Sequence, residues 1–312
     1  MASFAAQGYF FSRRIRRLTG TYKLTIAYDG GSFAGWQVQS DRKTVQECLQ
    51  NAIAKIAGQR CNVVGSGRTD AGVHAIAQVA SVRIPTWSHS PQTLARAINV
   101  HLPDTIVVTQ AQTAVDGFHA IRDATGKRYR YQLQVGGPRD VFQYRYRWHL
   151  HTAIDVEAMR TAARRMVGEH DFASFQASGS DRKTTVRDVR ACDVIIQDSP
   201  GIESPGIDSP EIDDRETPDA QVYGGRPEQP ALNLAIEVEA NGFLYNMVRN
   251  IVGTLVAVGR GKYPPEWVAD VFAALDRSAA GQTAPAHGLF LLNVDYPSSI
   301  LTDWHPTASH PS

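Results

Sequence analysis

Between residues 22 and 113 the apolar period switches from two to about three and a half and back, in an order few folds satisfy. "YKLTIAYD" (22–29) alternates and is β-prone. Val45 to Ala57 sets Val45, Leu49, Ala52, Ile53 and Ile56 on one helical face. "CNVVGSGRTDAGVHAIAQVASV" (61–82) reads as two strands, carrying Val63 and Val64 on one side and Val79 and Val82 on the other, around a glycine-rich loop. "PQTLARAINVHL" (91–102) is a helix with Pro91 where a helix starts well, and "TIVVTQAQT" (105–113) is a strand. Strand, helix, strand, strand, helix, strand is the order of a ferredoxin-like unit, an antiparallel sheet with helices on one face. Its other face is left for a ligand.

The second half repeats the theme more loosely. "KRYRYQLQV", "TVRDVRACDVII", "ALNLAIEVEA" and "LFLLNVDY" read as strands; "DVEAMRTAARRMVG", "FLYNMVRNIVGTLVAVG" and "PPEWVADVFAALD" read as helices. The chain therefore reads as two α+β domains, over residues 22–115 and 116–297, with a boundary between 112 and 125. Residues 1–21 form a basic N-terminal tail with Arg13, Arg14, Arg16 and Arg17 and no acid, and residues 298–312 form a C-terminal tail. The tail reads as a disordered segment that touches RNA, with an organellar transit peptide as the alternative.

A net charge of +1 for 312 residues conceals an uneven distribution. Residues 198–228 hold nine acids against two bases, in Ser-Pro and Ile-Asp units that bury too little apolar surface to order themselves. This acidic insert, about residues 197–230, leaves 30 basic and 22 acidic residues elsewhere, a body at +8 suited to a polyanionic partner. Cys48, Cys61 and Cys192 stand far apart without a CxxC pair, so neither a disulfide framework nor a zinc site is expected, and a reducing, cytoplasmic compartment fits. No apolar run approaches the ~20 residues that span a bilayer. The histidines follow no metal-binding spacing, and no metal is expected.

The loop at 65–72 holds one carboxylate, Asp70, beside one guanidinium, Arg68, between Gly65, Gly67 and Gly72. Such an aspartate is either a turn former or a carboxylate kept ionised by a cation, as a nucleophile requires. No second acid lies nearby, which weighs against two-metal and paired-carboxylate chemistries. In "GKRYRY" (126–131), Tyr129 and Tyr131 share one strand face and Arg128 and Arg130 the other. That pattern suits either an aromatic core face or a base-stacking platform beside phosphate contacts. "FQYRYRWHL" (142–150) reads as a second such strand. Arg249 stands in an otherwise apolar helix, where a buried guanidinium needs an acid, either a structural carboxylate or the catalytic one. "YDGGSFAGWQ" (28–37) has neither the Gly-Lys-Ser/Thr of a phosphate-binding loop nor GxGxxG spacing.

"YDGGSFAGWQ", "GSGRTDAGVHA", "FHAIRDATGKRYRY", "MVRNIVG" and "HGLFLLNVDYP", in that order from about residue 22 to 297, resemble the tRNA pseudouridine synthase A family. The resemblance implies a cofactor-free homodimer whose two ferredoxin-like domains flank an RNA-binding cleft, acting on uridines 38, 39 and 40 of the tRNA anticodon stem-loop. It implies Asp70 as the nucleophile, Tyr129 packing on the target uracil and Arg249 paired with Asp70. It further implies that Arg68 helps displace the target base and that Leu289 walls the pocket. Isomerising uridine to pseudouridine needs an ionised acid near C1′, a flat partner for the freed base and removal of the C5 proton. Read without the resemblance, the residues also admit a non-catalytic RNA-binding module or an aspartate-dependent nucleoside hydrolase.

Overall fold

A computed structural model describes residues 20–177, 184–197 and 231–304. The basic residues 13–17, most of the acidic insert and the last eight residues lie outside the described residues. The elements run β1 (Thr21–Tyr28), α1 (Val45–Ala57), β2 (Val63–Gly65), β3 (His74–Arg83), α2 (Pro91–Asn99), β4 (Ile106–Thr113), β5 (Gly126–Val135) and β6 (Trp148–Leu150). They continue α3 (Val156–Arg164), β7 (Gly168–Asp171), β8 (Val186–Gln197), β9 (Leu232–Ala240), α4 (Met247–Gly259), α5 (Trp267–Ala274) and β10 (Leu289–Asp295).

Local chemistry sets the helix starts. The side chains of Thr44, Ser90 and Asp155 accept backbone N–H bonds from Glu47, Thr93 and Ala158, capping α1, α2 and α3. Val45, Leu49, Ala52 and Ile53 form the buried stripe of α1. Among the described residues no helix is long and apolar enough to cross a membrane.

All ten strands join one sheet in the order β4-β1-β3-β10-β5-β9-β8-β7, with β2 against β3 and β6 against β5. The first half contributes β4-β1-β3-β2 and the second β10-β5-β9-β8, the same order once the short strands β6 and β7 are set aside and each half is renumbered along the chain. The halves meet where β10 pairs parallel with β3 at His74 and Ala75, while β2 pairs antiparallel with β3 at Ala80–Val82. The same edge of β3 is thus shared by β2 and β10, and the chain leaves the sheet between them at residues 66–73. That seam positions the site. β8 and β9 pair as far as Gln197 and Asn233, so the acidic segment connects two strand ends that are already neighbours.

The sequence pattern misleads at residues 142–147, which are turns; only Trp148–Leu150 pairs as a strand. The Asp140 side chain accepts from the backbone N–H groups of Phe142 and Gln143, and Tyr146 N–H donates to the Gln143 carbonyl. Local bonds of this kind compete directly with a strand ladder. Helix α4 also starts later than its apolar run, at Met247, because Asn246 sits at φ 59°.

α4 is buried along nearly its whole length and is crossed by residues 281–284. A Cβ on Gly253 would lie 1.6 Å from the Gln282 carbonyl oxygen, so only glycine permits the crossing. Ala284 N–H donates to the Arg249 carbonyl at 3.1 Å and Gly281 N–H to Thr254 Oγ1 at 3.0 Å. Gly253→Ala is expected to cost about 3 kcal/mol, as forced overpacking does. Urea unfolding monitored by circular dichroism checks this, and an unchanged midpoint would contradict the close approach.

Candidate active site

The loop after β2 is fastened from three sides. From below, Ser66 N–H donates to the Val79 carbonyl at 2.7 Å, Ser66 Oγ to Gln78 Oε1 at 2.6 Å, and Gln78 Nε2 to the Gly67 carbonyl at 3.1 Å. From the first half, the Tyr28 hydroxyl lies 2.7 Å from Thr69 Oγ1, and Trp36 N–H donates to the Thr69 carbonyl at 3.0 Å. Gly35 allows this approach: its φ is +99°, and a Cβ there would stand 2.5 Å from Thr69 O. "YDGGSFAGWQ" is therefore a buttress for the loop. From the second half, Lys127 Nζ donates to the Ser66 carbonyl at 2.7 Å.

At the loop's tip Asp70 meets Arg249 from the first turn of α4, with Arg249 Nη1 3.3 Å from Asp70 Oδ2. Arg249 is itself held, Nε donating to the Ala284 carbonyl at 2.7 Å and Nη1 to Asn246 Oδ1 at 2.9 Å. The guanidinium is aimed by the same crossing segment that Gly253 admits. Burial pushes the Asp70 carboxyl above the usual aspartate range, and Arg249 pulls part of that shift back.

Tyr129, buried on β5, packs edge-on against Phe243 with ring centroids 5.0 Å apart. Burial, with Tyr28 and Asp70 close by, raises its hydroxyl pKa far above neutrality, so the phenol keeps its proton. Leu289 opens β10 beside Tyr131, and both Tyr129 and Leu289 line a cavity of about 730 Å³ together with Asp70, Arg68, Asn246 and Arg249. The geometry thus brings together all five site residues expected from sequence: Asp70, Tyr129, Arg249, Leu289 and, at the exposed rim, Arg68.

The cation beside Asp70 is Arg249, the partner the resemblance implied; its chain neighbour Arg68 makes no ion pair among the described residues. One reading changes. The cationic face of β5 does not wait for phosphates. Arg128 pairs with Glu237 and Glu239 at 3.4 Å each, and Arg130 Nε donates to Glu237 Oε1 at 2.8 Å. The tyrosine face is the one that opens on the cavity. Sequence reasoning missed Lys127, Thr69 and Asn246. Lys127 shares the odd-numbered face of β5 with the tyrosines, the one signal that could have pointed to it.

The family model described as tRNA pseudouridine synthase matches residues 24–121 and 162–297. A protein named tRNA pseudouridine synthase A from Thermoanaerobacter sp. (strain X514) is 39% identical over 273 residues, covering 88% of this chain and 98% of that protein. The protein of the same name from Solidesulfovibrio magneticus is 42% identical over 280 residues, covering 88% and 90%. Among solved structures, the archaeal box H/ACA sRNP Nop10-Cbf5 complex aligns at 12% identity and TM-score 0.31 over 85% of this chain and 60% of that one, too loosely to bear on function. With the family model matched over most of its length and relatives near 40% identity across nearly nine-tenths of it, the chain belongs to the tRNA pseudouridine synthases, isomerases that act on tRNA uridines.

Proposed function

We propose that the cavity at Asp70 isomerises uridines 38, 39 and 40 in the anticodon stem-loop of tRNA. The observation that carries the reading is the Asp70–Arg249 pair facing Tyr129 across a cavity of about 730 Å³, room for an extruded nucleotide. The resemblance of the motifs to the pseudouridine synthase A family, and that name on the relatives, support the anticodon assignment. We further read residues 22–115 and 116–297 as two ferredoxin-like domains, supported by the strand order that recurs in each half. The enzyme works in the cytoplasm as a homodimer, an oligomeric state that equilibrium sedimentation tests.

The reaction breaks N1–C1′, forms C5–C1′, removes the proton from C5 and places one on N1. Asp70, kept ionised by Arg249, is the nucleophile. Its loop is so tightly fastened that the carboxylate need not reorganise when the ribose arrives. Arg68, free at the rim, enters the stack that the target base leaves. Tyr129 holds the freed uracil. Because its phenol stays protonated, it removes the C5 proton only as a relay, accepting at oxygen while passing its own proton toward Asp70.

Tyr129→Phe is therefore expected to lose about 100-fold in kcat, within the usual range for a positioned proton-transfer group, and Tyr129→Ala to fall below detection. Single-turnover kinetics decide it: a Phe variant with full turnover would leave the ring a stacking role alone. The positional assignment is tested by treating unmodified tRNA with the enzyme and mapping carbodiimide-dependent primer-extension stops. Stops at 38, 39 and 40 are expected, and stops confined to another arm would reject the anticodon reading.

A further inference from the structure

Asn246 stands at the start of α4 in a left-handed conformation that most side chains avoid, φ 59° and ψ 6°. Asparagine there would ordinarily cap the helix, yet its side chain makes no capping bond. Its oxygen is taken by Arg249 instead, Nη1 donating to Oδ1 at 2.9 Å. A guanidinium can only donate, so this bond settles which end of the amide faces it: oxygen toward Arg249, the NH₂ group away. That NH₂ group has no partner among the described residues. Asn246 lines the same cavity as Asp70 and Tyr129, and one guanidinium nitrogen bonds both its amide oxygen and the Asp70 carboxylate. An orphan donor, locked in one orientation, is held within about a pyrimidine's reach of the nucleophile.

We propose that Asn246 is a specificity-determining residue whose Nδ2–H donates to the C4 carbonyl of the target uracil; this rests on the pseudouridylation reading above. Uracil and cytosine share O2 and differ at C4, where uracil accepts and cytosine's amine donates. A fixed donor at C4 accepts the first and leaves two donors opposed with the second, the kind of unpaired polar contact that discriminates strongly. The assignment also suits the reaction. To exchange N1 for C5 at the ribose, the uracil turns by half a revolution about its C6–N3 axis, which puts C2=O where C4=O had been. One stationary donor therefore holds a carbonyl before and after the turn. A cytosine fails at the first position.

The test compares kcat/KM on a tRNA whose single target uridine is replaced by 4-thiouridine, a weak acceptor at the same place, in wild type, Asn246→Gly and Asn246→Asp. Glycine keeps the left-handed backbone and removes the amide; aspartate keeps the size and removes the donor. Wild type is expected to lose about 10-fold on the thio substrate. Both variants are expected to lose at least 10-fold on uridine while showing no further loss on 4-thiouridine, with melting temperatures near wild type confirming that they fold. A thio penalty that persists in the Asp variant would trace to the bulk of sulfur and overturn the proposal. A penalty with 2-thiouridine in place of 4-thiouridine would overturn the C4 assignment. Failure of wild type to convert the uridine tRNA would instead contradict the function reading itself.

Discussion

Asp70→Asn leaves a folded protein that binds tRNA within a few-fold of wild type and forms no pseudouridine. Asparagine keeps the shape of the side chain. Arg249 remains anchored by the Ala284 carbonyl and Asn246, so the cavity should not collapse around the change. Removing the nucleophile should lower turnover by about 10⁴-fold or more, the scale on which such groups act. Affinity is dominated by phosphate contacts distributed over the RNA, which the change does not touch. Single-turnover conversion and filter binding, run on one preparation, check both halves. Substantial conversion by the Asn variant would end the assignment.

The second large effect is at Arg249. Burial already raises the Asp70 carboxyl, and the guanidinium offsets part of that rise. Removing the cation therefore moves the carboxyl further up, so a smaller fraction is ionised at any given pH. Because the ionised form is the working one, the acid limb of the kcat/KM profile should shift to higher pH in Arg249→Met. Rate at neutral pH should fall by about 100-fold, reflecting both lost charge and lost aim. Arg249→Lys keeps the charge but cannot reach Ala284, Asn246 and Asp70 at once, so it should restore the limb more fully than the rate. An unmoved acid limb in the Met variant, with rate reduced equally at every pH, would make Arg249 a purely structural residue.

The features legible in sequence were those written locally. The six-element order of the first half, the helix start at Pro91 and the glycine-flanked Asp70 all depend on residues within a few positions of one another. Arg249 was legible for a different reason, since a lone cation in an apolar helix must find an acid somewhere. Helix pattern alone could not say which acid, because the two residues are 179 positions apart; the resemblance of the motifs pointed to Asp70. The partners of Arg128 and Arg130 were hidden in the same way, although Glu237 and Glu239 alternate on β9 with the period that places them on one face. Residues 142–147 misled because the Asp140 turn overrides an alternating pattern. The parallel β3–β10 contact that joins the halves rests on two residue pairs, and no local signal announces it. Asn246 escaped notice because its importance lies in the side to which Arg249 turns its amide.

The central claim is that the Asp70 cavity moves a uracil from N1 to C5 attachment without releasing it. The direct measurement follows tritium from tRNA transcribed with uridine labelled at C5. Each turnover must expel the C5 hydrogen and retain the base, so wild type should release one tritium to water per pseudouridine formed, with no free uracil, and Asp70→Asn should release neither. Free labelled uracil in place of tritiated water would make the protein a hydrolase and contradict the account.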